Sequence, residues 1–307
     1  MRGDPRSRQH PLPRRAALAL LCVAAGALLA ATPSGAAPRP QLEGVHNWAF
    51  AIGHGMLAGD ADAVARRLGR FDLAVIDGES ARRREVGALR REGTVVLGYL
   101  SVGTIERWRS WYPRLRRYRL RAWRDWEGEW FADVARAGLR RELVGRIAPR
   151  LLRKGFDGLF LDNVDMIERR RHRAQRPGMR RLVRRLARLV HERGKLLFAQ
   201  NGARGMRRFG IARYLDGWNR EDVTWTYDFD RRRYARQSPG AIAAAQRELR
   251  GMARRGIFVT ATDYTRPGDA AALAEAVANA CAARALPYVS DVGLTARRLP
   301  GTPLRCG

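Results

Sequence analysis

The chain has 307 residues, 46% of them hydrophobic, with 59 Lys and Arg against 30 Asp and Glu and a formal net charge of +29. That length supports one large domain with a sizeable core, and so basic a balance raises nucleic acid or an anionic surface as partners. The detail argues against a dedicated nucleic-acid binder: only Lys154 and Lys195 are lysines, and the arginines are spread along helical segments such as Arg180, Arg181, Arg184, Arg185 and Arg188, as on a solvated helix face.

Residues 1–37 read as a secretory signal peptide. Arg14 and Arg15 precede an apolar run over 16–31, and small residues follow from Thr32 to Ala37, the order of a basic start, an apolar core and a cleavage region. The run is short for a membrane span. Residues 38–44 are expected to be a linker, 45–295 the folded domain and 296–307 a C-terminal tail. The expected location is secreted or cell-envelope, and the expected state is a monomer. Cleavage removes Cys22 and leaves Cys281 and Cys306. Export meets oxidising conditions, so these two are expected to form a disulfide. The five histidines show no zinc-site spacing, and no metal or cofactor is expected.

Eight short β-rich runs follow, at 47–52, 72–77, 94–101, 158–162, 195–200, 215–219, 257–262 and 286–290. Helical patterns lie at 61–68, 81–92, 142–153, 179–193, 241–254 and 270–284. Gly93, Gly155, Gly194 and Gly256 stand just past helix ends, where a left-handed residue stops a helix. Eight strands, mostly alternating with helices, predict an α/β fold, a single-domain (β/α)8 TIM barrel. No Gly-x-Gly-x-x-Gly follows the first strand, so a dinucleotide site lacks support. The connection over 103–142, after the third strand, is long and holds Trp108, Trp111, Trp123, Trp126 and Trp130. It is predicted to be a Trp-rich loop folded over the barrel mouth.

The ends of the strands carry Asp77 and Glu79, Glu106, Asp162 and Asp165, Asn201, Trp218 with Glu221 and Asp222, Asp263 with Tyr264, and Asp291. A barrel brings all these ends to one face. Burying carboxylates is costly, so so many at strand ends predict a shared cleft. Several carboxylates and aromatics in one cleft suit glycoside hydrolysis, where one acid protonates the leaving oxygen and a second carboxylate attacks the sugar or activates water. Trp48, Asp77, Tyr99, Asp165, Asn201, Trp218, Asp263 and Tyr264 are the candidate substrate-binding residues, and Trp225 is a further aromatic candidate.

Four stretches carry a family resemblance: 71–77 (Phe-Asp-Leu-Ala-Val-Ile-Asp), 96–103 (Val-Leu-Gly-Tyr-Leu-Ser-Val-Gly), 155–165 (Gly-Phe-Asp-Gly-Leu-Phe-Leu-Asp-Asn-Val-Asp) and 200–202 (Gln-Asn-Gly). Through them the chain resembles the endo-α-1,4-polygalactosaminidase family, glycoside hydrolase family 114, over roughly residues 45–292. The resemblance implies a (β/α)8 barrel that cleaves α-1,4-linked galactosamine polymers without a metal, with Asp162 and Glu221 at the positions of the family's proposed catalytic pair. Thr104 and Ala203 depart from the family pattern, which often has acidic residues there. The expected function is an exported glycoside hydrolase acting on an α-linked, galactosamine-containing polysaccharide. The alternatives are a non-catalytic glycan-binding barrel and an arginine-driven binder of anionic envelope polymers.

Overall fold

Runs such as Leu73–Asp77 and Leu196–Gln200 are apolar at consecutive positions, so both faces of the strand must be covered. A barrel with an outer helical layer does this. The structure is a computed structural model and describes residues 39–307; the expected signal peptide lies outside the described residues. Eight parallel strands, β1 (Trp48–Ala51), β2 (Leu73–Asp77), β3 (Val95–Ser101), β4 (Gly158–Asp162), β5 (Leu196–Gln200), β6 (Gly217–Glu221), β7 (Phe258–Tyr264) and β8 (Leu286–Ser290), pair in chain order. All eight correspond to predicted runs. The largest displacement is β6, which starts two residues later than 215–219 and so ends on Glu221.

The helices bury one stripe each. Helix Arg176–His191 turns Met179, Leu182, Val183, Leu186 and Val190 inward, while Arg180, Arg181, Arg184, Arg185 and Arg188 are exposed. That is the three-and-four spacing of an amphipathic helix. The helical run before β4 is longer than the predicted 142–153. It begins at Ala137–Glu142, passes through a π turn at Leu143–Ile147 and ends with Ala148–Leu152.

Three aspartates at the amino-terminal face fix strand register. Each immediately precedes an even-numbered strand or opens the turn into it, and each accepts a backbone N–H from the start of the neighbouring odd strand. Asp72 accepts from Asn47 N at 3.1 Å, Asp157 from Val96 N at 2.9 Å, and Asp216 from Leu197 N at 2.5 Å. Each carboxylate has a further partner: the Asn47 side chain for Asp72, Arg90 for Asp157, and His191 with Arg39 for Asp216. Hydrogen bonds to charged groups are worth about 1.5–3 kcal/mol each, so these acids belong to folding, unlike those at the opposite face.

The seam of the barrel lies between β1 and β8, which share no backbone ladder among the described residues. Trp48 bridges it. Its indole N–H donates to Leu286 O at 2.9 Å, and its ring packs 5.7 Å from Tyr288. Trp48 is 1% exposed. It stands at the start of β1, at the end of the barrel away from the mouth, so its predicted role as a sugar platform is corrected to a core position.

The segment over 103–142 is not a structureless loop. It folds a three-stranded antiparallel sheet from Thr104–Glu106, Arg119–Ala122 and Glu129–Ala132, with the last in the centre. The predicted linker packs on the barrel: Pro40–Leu42 form a 3-10 turn, and Gln41 donates to Gly194 O at 2.9 Å. In the tail, Cys306 is joined to Cys281, with Cα atoms 5.4 Å apart. Among the described residues no helix is long and apolar enough to cross a membrane.

The seam generates a test. Trp48→Phe keeps the ring and removes the N–H, leaving Leu286 O without its donor. Unsatisfied buried groups cost about 1–3 kcal/mol, so denaturant unfolding should show a loss of that size. Wild-type stability would show that the indole N–H does not hold the seam.

Candidate active site

Strands β4, β5 and β6 end on Asp162, Gln200 and Glu221. The next residue in each case is left-handed: Asn163 at φ 59°, Asn201 at φ 52° and Asp222 at φ 57°. Asn and Asp are the side chains that tolerate this conformation best. The chain therefore turns sharply away at each tip, and the tip side chain is left facing the barrel axis. Two motif glycines allow the turns to pack. A Cβ on Gly103 would lie 1.9 Å from Asn163 O, and one on Gly202, at φ 64°, would lie 2.8 Å from Asp165 Cα.

The tips open into a cavity of about 460 Å³ whose lining includes Asp77, Tyr99, Asp162, Asp165, Asn201, Glu221, Asp222 and Tyr264. Asp162 and Glu221 are joined through one amide: Gln200 Nε2 donates to Asp162 Oδ1 at 3.3 Å and to Glu221 Oε2 at 2.6 Å. Asp162 also accepts from Tyr99 Oη at 2.6 Å and from Asn163 N at 2.6 Å. Glu221 accepts from Asn201 Nδ2 at 2.8 Å and from the Tyr264 hydroxyl.

Two further predicted residues lie behind the cleft rather than in it. Trp218 is fully buried and its indole donates to Asn201 O at 2.7 Å, bracing the left-handed turn from below. Asp263 accepts from Thr224 N and Trp225 N, both at 2.7 Å, and anchors the loop after β6. Neighbours on a strand face opposite ways, so Tyr264 in the cleft puts Asp263 on the other face. Trp225 donates its indole N–H to Glu275 at 3.2 Å. Asp291 accepts from the backbone and hydroxyl of Thr295, closing a turn, and Glu79 accepts from Ser110 N.

The small sheet and a hairpin supply walls. Of the five tryptophans over 103–142, Trp108, Trp123 and Trp126 line the cleft. Trp130 packs on Tyr112, and Trp111 lines a separate depression. Across the mouth, the hairpin of Trp225–Asp228 and Arg233–Arg236 contributes Tyr227 and Phe229. Trp126 meets Phe229 edge-on at 5.5 Å. Sequence reasoning missed Gln200, Arg109 and Glu129 as site residues. Arg109 is 6% exposed and binds Glu106 through two nitrogens at 2.7 and 3.1 Å and Asp77 at 2.6 Å. Glu129 faces Glu106 in register across the small sheet. Among the described residues, no group of three or more His, Cys, Asp or Glu is placed to hold a metal ion.

Residues 27–299 match glycoside-hydrolase family GH114. The chain belongs to this family. An uncharacterised protein of Deinococcus radiodurans is 28% identical over 278 residues, 83% of either chain. The fold is similar to the glycoside hydrolase domain of PelA from Pseudomonas aeruginosa, with TM-score 0.67, 21% identity, and coverage of 81% of this chain and 94% of that one. It is also similar to Aspergillus fumigatus Ega3 in complex with galactosamine, with TM-score 0.61, 17% identity, and coverage of 85% and 95%.

In this GH114 barrel, burial sets the protonation of the floor. Asp162 is pushed up to about 6 by burial, and the Tyr99 hydrogen bond pulls the other way. Glu221 is pushed up to about 8 by burial, with the charges of Asp222 and Asp162 adding to it. Asp165 is raised to about 6 and Glu129 to about 8, again chiefly by burial. Burial works against the Arg109 charge, but Glu106 and Asp77 outweigh it and keep the guanidinium protonated. The two groups of the candidate pair are thus held apart in acidity, as acid and base roles require.

Removing a donor from Asp162 should raise its pKa further, because the bond favours the charged form. Tyr99→Phe should therefore move the Asp162 titration, read by carbon NMR of labelled aspartate, to higher pH than in the wild type. An unmoved titration would show that the bond contributes nothing to the site.

Proposed function

We propose that this GH114 protein is an exported hydrolase that cleaves an α-linked, galactosamine-containing polysaccharide through Asp162 and Glu221. The observation that carries the reading is the shared Gln200 amide. Oxygens bonded to one nitrogen at 3.3 and 2.6 Å lie no more than about 6 Å apart, a closest approach compatible with the 5–5.5 Å separation of retaining pairs. Between about pH 6 and pH 8, Asp162 is ionised and Glu221 protonated. Asp162 then attacks the anomeric carbon while Glu221 gives its proton to the leaving oxygen. In the second half, ionised Glu221 takes a proton from water, which displaces Asp162 and restores both groups.

The substrate reading draws on the similarity to Ega3, seen with galactosamine. It draws also on the acidic floor: Asp77 and Glu106 share Arg109, whereas Asp165, ionised above about pH 6, has no ion-pair partner among the described residues. A sugar ammonium suits such a place. The aromatic walls at Tyr99, Trp123 and Tyr227 suit sugar faces. Export rests on the basic and apolar pattern of residues 1–37.

The test uses de-N-acetylated galactosamine oligomers and reads new reducing ends. Turnover should follow a bell-shaped pH profile, rising near about 6 as Asp162 ionises and falling near about 8 as Glu221 loses its proton. Asp162→Asn should abolish turnover. Glu221→Gln should lower kcat by about 10²–10⁴-fold, the usual worth of a general acid. Proton NMR of the first product should show the α anomer. A β anomer would rule out the retaining assignment, and wild-type rates in both variants would remove the pair from the chemistry.

A further inference from the structure

Arg169 follows the short 3-10 turn Val164–Glu168 that leaves β4, and it borders two surfaces. On one side it lines the cleft, with its guanidinium 5.7 Å from the Trp123 ring and 5.3 Å from Phe131. On the other it begins a depression of about 680 Å³ lined by Arg169, Arg170, Arg171 and Arg173. Among the described residues none of the four pairs with a carboxylate. Some exposed arginines elsewhere pair with acids, Arg188 with Glu192, Arg231 with Asp228 and Arg236 with Glu275. Others, such as Arg181, Arg184 and Arg185, do not among the described residues, so what sets this cluster apart is its place in one depression beside the cleft. His172 sits beneath the cluster, 4% exposed, with its pKa lowered by burial and then by Arg169, Arg171 and Arg121. The histidine is therefore neutral and the cluster's charge comes from arginine.

Four adjacent guanidinium groups repel one another, and no carboxylate among the described residues forms an ion pair with any of them. Guanidinium is also the cation whose planar fork fits a carboxylate through two parallel hydrogen bonds. Arg169 lines both the depression and the cleft, so a glycan strand leaving the cleft past Asp165 on that side would meet the arginines. We infer that the depression is an anion-binding subsite for carboxylate groups on a glycan strand, so that the strand handled by this protein is of mixed charge. Amino sugars would then meet the acidic floor, and acidic sugars the arginine rim. The inference rests on the reading of the cleft as a glycan site. It accounts for an acidic floor and a basic rim in the same groove.

The experiment measures binding of labelled polygalacturonate by the exported form of the protein carrying Asp162→Asn, which removes hydrolysis from the measurement. Adding R170Q, R171Q and R173Q together should weaken binding by about tenfold or more and flatten its dependence on salt, because fewer counterions are exchanged. A second triple variant on the helix Arg176–His191, R181Q, R184Q and R185Q, removes the same charge from an exposed face and should change binding by less than about twofold, since screened charges beyond a Debye length contribute little. Circular dichroism and melting temperature check that both triples are folded. Equal losses in the two triples would overturn the inference in favour of general arginine attraction. Duplex DNA bound more tightly than polygalacturonate, and lost with the first triple, would overturn it in favour of a nucleic-acid surface. Failure of the wild type to cleave galactosamine oligomers, with the first triple still selectively impaired in polygalacturonate binding, would refute the proposed reaction and leave the subsite standing.

Discussion

The geometry of the candidate carboxyl pair depends on which way one amide points. Gln200 presents Nε2 to both Asp162 and Glu221 because its oxygen is already occupied, accepting from Asn219 Nδ2 at 3.1 Å. Asn219 is held in turn by Thr260 and Thr262, whose hydroxyls donate to its oxygen at 3.1 and 3.2 Å. The chain of donors and acceptors thus runs across β7, β6, β5 and β4 inside the barrel. Every member but the two carboxyls is neutral, and Asn219, Thr260 and Thr262 are fully buried. A buried polar chain of this kind fixes one orientation because the flipped amide would set oxygen against carboxylate. Reversing Gln200 would cost three hydrogen bonds, those to Asp162 and Glu221 and the one from Asn219, and would set two N–H donors against each other at Asn219.

The barrel also divides its acids by face. At the amino-terminal end, Asp72, Asp157 and Asp216 take backbone N–H groups and, for the latter two, cationic side chains. Their charge is used up in holding register. At the carboxy-terminal end one buried cation, Arg109, serves Asp77 and Glu106, while Asp162, Asp165, Glu129 and Glu221 have only neutral donors or none. Hydrogen bonds from neutral groups lower a carboxyl pKa less than burial raises it here. The same residue type holds register at one end and has its acidity shifted upward at the other, and the difference lies in its partners.

The fold was legible because apolar runs bounded by Gly or Asp repeat eight times, and the strand ends pointed to one mouth. β6 was read two residues early because Asn219, Arg220 and Glu221 look like the end of a strand, whereas Asn219 is part of the polar chain inside the barrel. Trp48 and Trp218 read as sugar platforms because an indole near a strand invites it; yet Trp48 opens its strand rather than ending it, and Trp218 braces the turn at Asn201. Strand alternation alone separates Asp263 from Tyr264. Arg109 and Glu129 left no such signal, since they come from a turn and a strand of a small charged sheet whose place over the mouth is tertiary information. Gln200 was overlooked because it carries no charge, although it stands at a strand tip.

A protein of net charge +29 with an acidic cleft is electrostatically consistent, because distance and dielectric separate the two. Exposed charges are screened within about 8 Å at physiological salt, while charges in a buried site act on each other in a medium far less polar than water. The carboxyl groups themselves report which field they experience. If the arginine exterior controlled the floor, their pKa values would be depressed. Arg169 and Arg220 do pull Asp165 downward, yet burial outweighs both and the net shift is upward. At Glu221 the largest influences after burial are other carboxylates, not arginines. The floor is therefore set by its own desolvation and its own acids. The unpaired arginines lie at the rim, and their field does not reverse the upward shifts within the cleft.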